Sequence, residues 1–270
     1  MEAPVPPNEL VQRVARIEDP DVEGTYLAQG RTTLDRLERL LPPGWAWEGK
    51  RVLDFGCGAG RTLRHLTERA RSAELHGCDV DAPSIEWLEE HLSPPLHVVR
   101  NAELPPLPYP DGAFDLVYAL SVFTHIVDPW AEWLLELRRV LRPDGILVAT
   151  FMNAESWAAF GEGPWDEERT GMLVTRTWNP RDLGGPFVYH SEWWLREHWG
   201  RAFDVAYLER RPPVVGPGQT AGAVVLSPRP DELEPYDLER PGDPLREIEA
   251  LRWNLELLHA EAAGLHSRAL

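Results

Sequence analysis

Asp54, Gly56, Gly58 and Gly60 fall within one seven-residue stretch, and Asp79 follows about 20 residues after the glycines. Glycines at alternate positions let a backbone turn sharply with only hydrogens facing a ligand. A carboxylate at the head of that turn suits an ammonium and would repel a phosphate. A second carboxylate at this distance can accept hydrogen bonds from both hydroxyls of a ribose. Together they describe a cradle for a small molecule with an amino-acid head group. Farther along, His125 is the one side chain near this cradle whose ordinary pKa suits taking a proton from a hydroxyl.

The elements that must position these residues follow from apolar spacing. Arg51–Leu66, RVLDFGCGAGRTLRHL, reads as a buried strand, a glycine turn and a helix carrying Leu63, Leu66 and Ala70 on one side. Further strands are expected over 73–80, 96–100, 113–120 and 146–151. Helices are expected from an Asp81 cap through Leu92 and over 128–141. Amphipathic helices over 8–17 and 25–41 precede the core, with Tyr26, Gly30 and Arg31 placed to approach the cradle or simply to pack. Past Met152 the alternation stops, and residues 153–190 are rich in Trp, Gly and Pro. A helix over 191–199 ending at Gly200 and strands over 203–208 and 221–226 complete the sheet. After a proline-rich linker, Leu245, Ile248, Leu251, Leu255, Leu258 and Ala262 form one apolar stripe of a terminal helix over 243–265.

The glycine spacing is G-x-G-x-G, with Arg61 where a dinucleotide fingerprint would carry its last glycine. The stretch resembles motif I of the class I S-adenosylmethionine-dependent methyltransferases. PDGAFDLVYALSVFTHI resembles the fourth-strand region of their small-molecule and sugar-type members. The resemblance covers roughly residues 50–151. It implies an α/β, Rossmann-like, seven-stranded, mostly parallel sheet with helices on both faces. It also implies an N-terminal helical lid, an aromatic-rich substrate insertion after the fifth strand and a C-terminal helix. The implied cofactor is S-adenosyl-L-methionine, held by Asp54, Gly56, Cys57, Gly58, Gly60, Asp79, Val80, Asn101, Ala102 and Leu120. Asn101 stands where the family places an Asp for the adenine amino group, and an amide oxygen can accept the same bond. His125 matches the base of some sugar methyltransferases and equally a packing residue. Trp157, Trp178 and Tyr189 are the expected acceptor contacts.

Composition narrows the partners. With 27 Lys plus Arg against 44 Asp plus Glu, the net charge of −17 repels polyanions, which argues against a nucleic-acid substrate. The [DNS]-P-P-[FYW] motif of nucleic-acid amino-methyltransferases is replaced after the fourth strand by Ala119-Leu120-Ser121-Val122. No apolar run reaches membrane-spanning length, no signal peptide is evident, and a cytoplasmic setting is expected. Cys57 and Cys78 are too few for a thiolate zinc site or a disulfide framework, so no metal is expected. Residues 1–45 are expected to form a helical cap and 46–228 the cofactor-binding core, with 152–190 as its substrate region. Residues 229–270 are expected to form a linker and an amphipathic helix that either pairs two chains or docks on its own domain. The function so implied is methyl transfer to oxygen or nitrogen of a small molecule. A non-catalytic cofactor-binding or interaction protein and a nicotinamide-dependent oxidoreductase are the alternatives.

Overall fold

A computed structural model describes residues 4–15, 20–176, 185–211 and 220–269. Its centre is β1 (Arg51–Phe55), hydrogen-bonded in parallel to β2 (Glu74–Asp79) on one side and to β4 (Phe114–Ala119) on the other. Beyond them lie β3 (His97–Arg100) and β5 (Leu141–Phe151), also parallel. β9 (Gly222–Pro228) runs antiparallel to β5, and β8 (Phe203–Glu209) forms the edge, giving the order β3-β2-β1-β4-β5-β9-β8. The expected seven-stranded sheet is therefore the observed one. The chain leaves β1 toward β2 and β3 and returns at β4, so the order reverses between β1 and β4. In open parallel sheets such a reversal leaves a crevice at the carboxyl ends of the strands.

Both faces of the sheet are covered, as its nearly all-apolar strands require. Successive side chains point to opposite sides. Val52, Leu75 and Leu116 join one core with Leu34 and Leu37 of α2 (Val22–Leu40) and Ile85 and Leu88 of α3 (Ala82–Leu92). Leu53, Phe55 and Val117 join the other, with Leu134 and Leu137 of α4 (Trp130–Val140) and Trp199 of α6 (Glu192–Ala202). α6 continues through Gly200, where a stop was expected, because Trp199 and Ala202 are both fully buried. Burial of the following turn outweighs the weak helix propensity of one glycine.

Two local expectations change. The segment after the glycine turn is a 3₁₀ helix, Leu63–Arg71, rather than an α-helix. Thr62 supplies no side-chain cap there, and α2 crowds the turn: a Cβ on Gly30 would collide with the Arg61 carbonyl. The insertion after β5 is structured, with α5 (Ala154–Phe160) and an antiparallel hairpin of β6 (Met172–Thr175) and β7 (Phe187–His190). The hairpin is tied to the sheet ends by Val188 N–H donating to the Thr124 carbonyl at 2.9 Å and His190 N–H to Met152 at 2.7 Å.

The N-terminal helix is α1 (Asn8–Ala15). After the short α7 (Pro235–Glu239) comes α8 (Pro244–Ala269). It docks through Ala250, Asn254 and Leu257, the Asn254 amide donating to the Met172 carbonyl at 2.9 Å. Most of the stripe read from the sequence faces outward instead. Leu245 is 75% exposed, Leu251 61%, Leu255 54% and Ile248 44%. Spacing identifies apolar faces but not which of two adjacent faces the body covers.

Candidate functional site

A cavity of about 490 Å³ opens at the carboxyl ends of β1 and β4, where the strand order reverses. Asp54, Gly56 and Cys57 line it from the first strand and its turn, Asp79 and Val80 from the end of β2. Asn101 follows β3, and Leu120 follows β4. Gly58 and Ala102 line an adjoining cleft that shares Asp79, Val80 and Asn101 with the cavity. Gly60 does neither: a Cβ there would press on Leu88 Cδ2 at 2.7 Å, so its smallness serves the packing of α3. All three glycines have positive φ, 78°, 51° and 77°, the region that side chains disfavour. From behind the turn, the buried Tyr26 donates its hydroxyl to the Ala59 carbonyl at 3.2 Å. Tyr26 thus packs and braces the loop, and Gly30 admits close contact with it.

The two carboxylates are held differently. Asp79 accepts from the Gly58 N–H at 2.7 Å and from the Asp81 N–H at 2.8 Å, so its orientation is fixed by backbone. Burial raises its pKa, and these N–H donors pull it back. Asp54 is only 3% exposed, and burial pushes its pKa up to about 8. The nearby Tyr118 hydroxyl and Arg61 oppose that shift, while Asp79 adds to it. Arg61 also lines the cavity and donates to Gln29 at 3.2 Å. Burial likewise raises the Cys57 thiol, which keeps it from acting as a thiolate.

Asn101 offers a direct test of fit for an adenine-bearing cofactor. Its amide N–H donates to the Ala102 carbonyl at 2.7 Å, and its buried Oδ1 has no hydrogen-bond partner among the described residues. A buried acceptor without a donor is costly. An adenine amino group is a donor of the required kind, so the residues present fit the cofactor implied by the sequence. Nearby, Trp133 of α4 lines the wall, packs on Phe55 at 4.9 Å and donates to the Glu103 carbonyl at 3.1 Å. Nothing in the sequence marked Trp133, because its place depends on how α4 crosses the sheet.

The cavity is also walled by Val122, which lies against Gly56, and by His125, Ile126, Gly185 and Pro186. His125 Nδ1 lies 2.8 Å from the Pro186 carbonyl oxygen. That oxygen only accepts, so Nδ1 carries the proton, and in the neutral ring Nε2 holds the lone pair. The acceptor contacts expected from the insertion are placed elsewhere. Trp157 and Tyr189 are buried with Met152, Leu173 and Leu257 in a small core beneath α8, and they do not line the cavity. Their rings meet edge to face at 5.1 Å. Trp178 lies outside the described residues. Aromatic residues in a small insertion are drawn into its own core because it has no other source of burial.

Among the described residues, no group of three or more His, Cys, Asp or Glu could hold a metal ion, and no helix is long and apolar enough to cross a membrane.

Residues 53–149 match the family described as methyltransferase domain. The chain is 34% identical over 160 residues to a malonyl-[acyl-carrier protein] O-methyltransferase of Halorhodospira halophila, covering 57% of this chain and 52% of that protein. It is 33% identical over 133 residues to the 27-O-demethylrifamycin SV methyltransferase of Amycolatopsis mediterranei, covering 47% of each. The chain thus spans about half the length of these curated relatives. An S-adenosylmethionine-dependent methyltransferase from Mesorhizobium loti superposes with a TM-score of 0.57 at 20% identity, covering 71% of this chain and 95% of that one, a likeness of fold. Motif, sheet order and family match agree on residues 53–149: this part of the chain is a methyltransferase domain of the class I kind, whose cofactor is S-adenosylmethionine.

Proposed function

We propose that this protein transfers a methyl group from S-adenosylmethionine to an oxygen or nitrogen of a small-molecule acceptor. The observation that carries the reading is one cavity lined by Asp54, Asp79, Asn101 and His125. When bound, the cofactor supplies an electrophilic methyl on a sulfonium that leaves as a neutral thioether. Asp79 would accept from the ribose hydroxyls, Asp54 would face the ammonium, and the Asn101 oxygen would accept from the adenine. His125 takes the proton of a hydroxyl acceptor at Nε2, and the Pro186 carbonyl holds the ring in the tautomer that allows it. Val122, Ile126 and Pro186 keep that part of the cavity apolar, and excluding water aids a displacement whose rate depends mainly on alignment.

A metabolite screen with labelled methyl donor tests the reading. Transfer of label to a small molecule is the expected result. Binding of S-adenosylmethionine with no acceptor turned over would favour a non-catalytic cofactor-binding protein. Nicotinamide binding in place of S-adenosylmethionine would restore the oxidoreductase alternative.

We infer in addition that two chains pair through the open stripe of α8. Exposed Glu249 and Arg252 flank the stripe with opposite signs, so an antiparallel second copy presents each charge to its opposite. The segment Pro244–Glu256 carries three acids and two arginines, nearly neutral in a chain of net charge −17. Leu251→Glu leaves the docked face intact and should turn a dimer into a folded monomer by light scattering. A monomeric wild-type protein, or an unchanged dimer, would reject the pairing.

A further inference from the structure

The hairpin that roofs the acceptor end carries a cation just past the cavity wall. Pro186 lines the cavity, and Phe187 follows it, its ring 5.7 Å from that of His125. On the neighbouring strand of the hairpin, Arg176 succeeds Thr175, which pairs with Phe187. Its guanidinium lies over the Phe187 ring at 4.4 Å. The imidazole and the guanidinium are thus separated by no more than these two ring distances together, about the span of one substituted aromatic ring.

Arg176 is held in place. One guanidinium nitrogen donates to the Phe160 carbonyl at 3.0 Å, at the end of α5. No carboxylate pairs with it among the described residues, although the chain has an excess of acids. Its backbone is unusual as well. Among the described residues only Ser121 and Arg176 are non-glycine residues with positive φ, 59° and 52°. Ser121 lines the acceptor end of the cavity, and Arg176 stands behind its wall.

The charge of the whole molecule sharpens the point. A carboxylate-bearing acceptor is repelled by the average field of a −17 chain, so its capture requires a fixed local cation. Stacked on Phe187 and bonded to Phe160, Arg176 keeps donors for a planar anion at little further entropic cost. Phe160 is 39% exposed, and its ring lies 6.0 Å from that of Phe187, so the approach to the cation is apolar.

We propose that Arg176 is an anion subsite for the acceptor, which is a small compound carrying a hydroxyl and a carboxylate about one aromatic ring apart. The proposal rests on the methyltransferase reading of the cavity and adds the class of acceptor to it.

The test is binding of hydroxybenzoic and hydroxycinnamic acids, each against its primary amide, to protein saturated with S-adenosylhomocysteine. In the wild type the best acid should bind at least tenfold tighter than its amide. Arg176→Gln should reduce that preference to less than threefold, Arg176→Lys should keep part of it, and the melting temperature should hold. Equal binding of acid and amide, failure of every acid to bind, or a preference that survives in Arg176→Gln would overturn the subsite. Failure of S-adenosylhomocysteine itself to bind would instead strike the reading beneath it.

Discussion

The two ends of the cavity are made in different ways. Its cofactor end comes from strand ends and the turns directly after them, Asp54 to Gly58, Asp79 and Asn101, each placed by a backbone ladder. The side proposed for the acceptor is made by apposing segments far apart in sequence, Thr124–His125 against Gly185–Pro186, joined by the His125 contact to Pro186 and the Val188 bond to Thr124. Residues at the first end should therefore fail by losing the cofactor, and residues at the second by losing turnover or the insertion itself.

The sharpest separation should come from His125→Ala. If it is the base, turnover falls by about 10²–10⁴-fold while cofactor affinity stays within twofold. A loss below tenfold in single-turnover assays would make His125 a packing residue. The converse variant is Gly56→Val. A side chain at φ 78° would meet the Val122 methyl, and cofactor affinity should drop by about 100-fold or more in a folded protein. Normal binding by calorimetry would misplace the cradle.

Trp157→Ala probes the insertion. It empties part of a small core and should lower stability by about 3–5 kcal/mol in denaturant titrations. Cofactor affinity of the surviving folded fraction should be unchanged, and a matching loss of affinity would blur the two ends into one. At the cofactor end, Asp79→Asn should weaken binding by about 1–3 kcal/mol, since the charge on a hydrogen-bonded carboxylate is removed.

The last effect is one of pH. Asp54 has its folded pKa raised to about 8 from an ordinary 3.8, so the ligand-free protein holds a proton there that the unfolded chain has lost. Its contribution to stability is therefore fully present below about pH 4 and declines as pH rises toward 8. A cationic head group prefers the carboxylate, so cofactor affinity should rise from pH 6 to 8, by at most about tenfold per unit, and then level off. A flat profile in Asp54→Asn beside a rising one in the wild type would assign the proton.

The same contrast explains what could be read before the structure. Asp54, Asp79 and Asn101 were legible because chemistry, strand end and turn coincide within a few residues. The seven-stranded, mostly parallel sheet was implied by the family resemblance, and its strand order came only with the structure. Gly60 was misjudged because a glycine beside a ligand and one beneath a helix look alike in sequence, and only Leu88 distinguishes them. Trp157 and Tyr189 were misjudged because aromatic richness does not say whether a ring faces a cavity or another ring. Trp133, Pro186 and Arg61 depend on packing of segments that no local pattern relates. The α8 stripe was legible as a pattern, and the structure leaves most of it open while Ala250 and Leu257 beside it dock on the body.

Asp79 and Pro186 line a single chamber, so the proposed cofactor and acceptor would occupy it together. In direct displacement nothing is parked on the protein between half-reactions, so both ligands must be present together. Initial-rate plots should then intersect, as for a sequential scheme, and should not run parallel. Because the two ligands share walls, fresh acceptor at high concentration should enter once the methylated product has left, trap the spent cofactor and inhibit turnover.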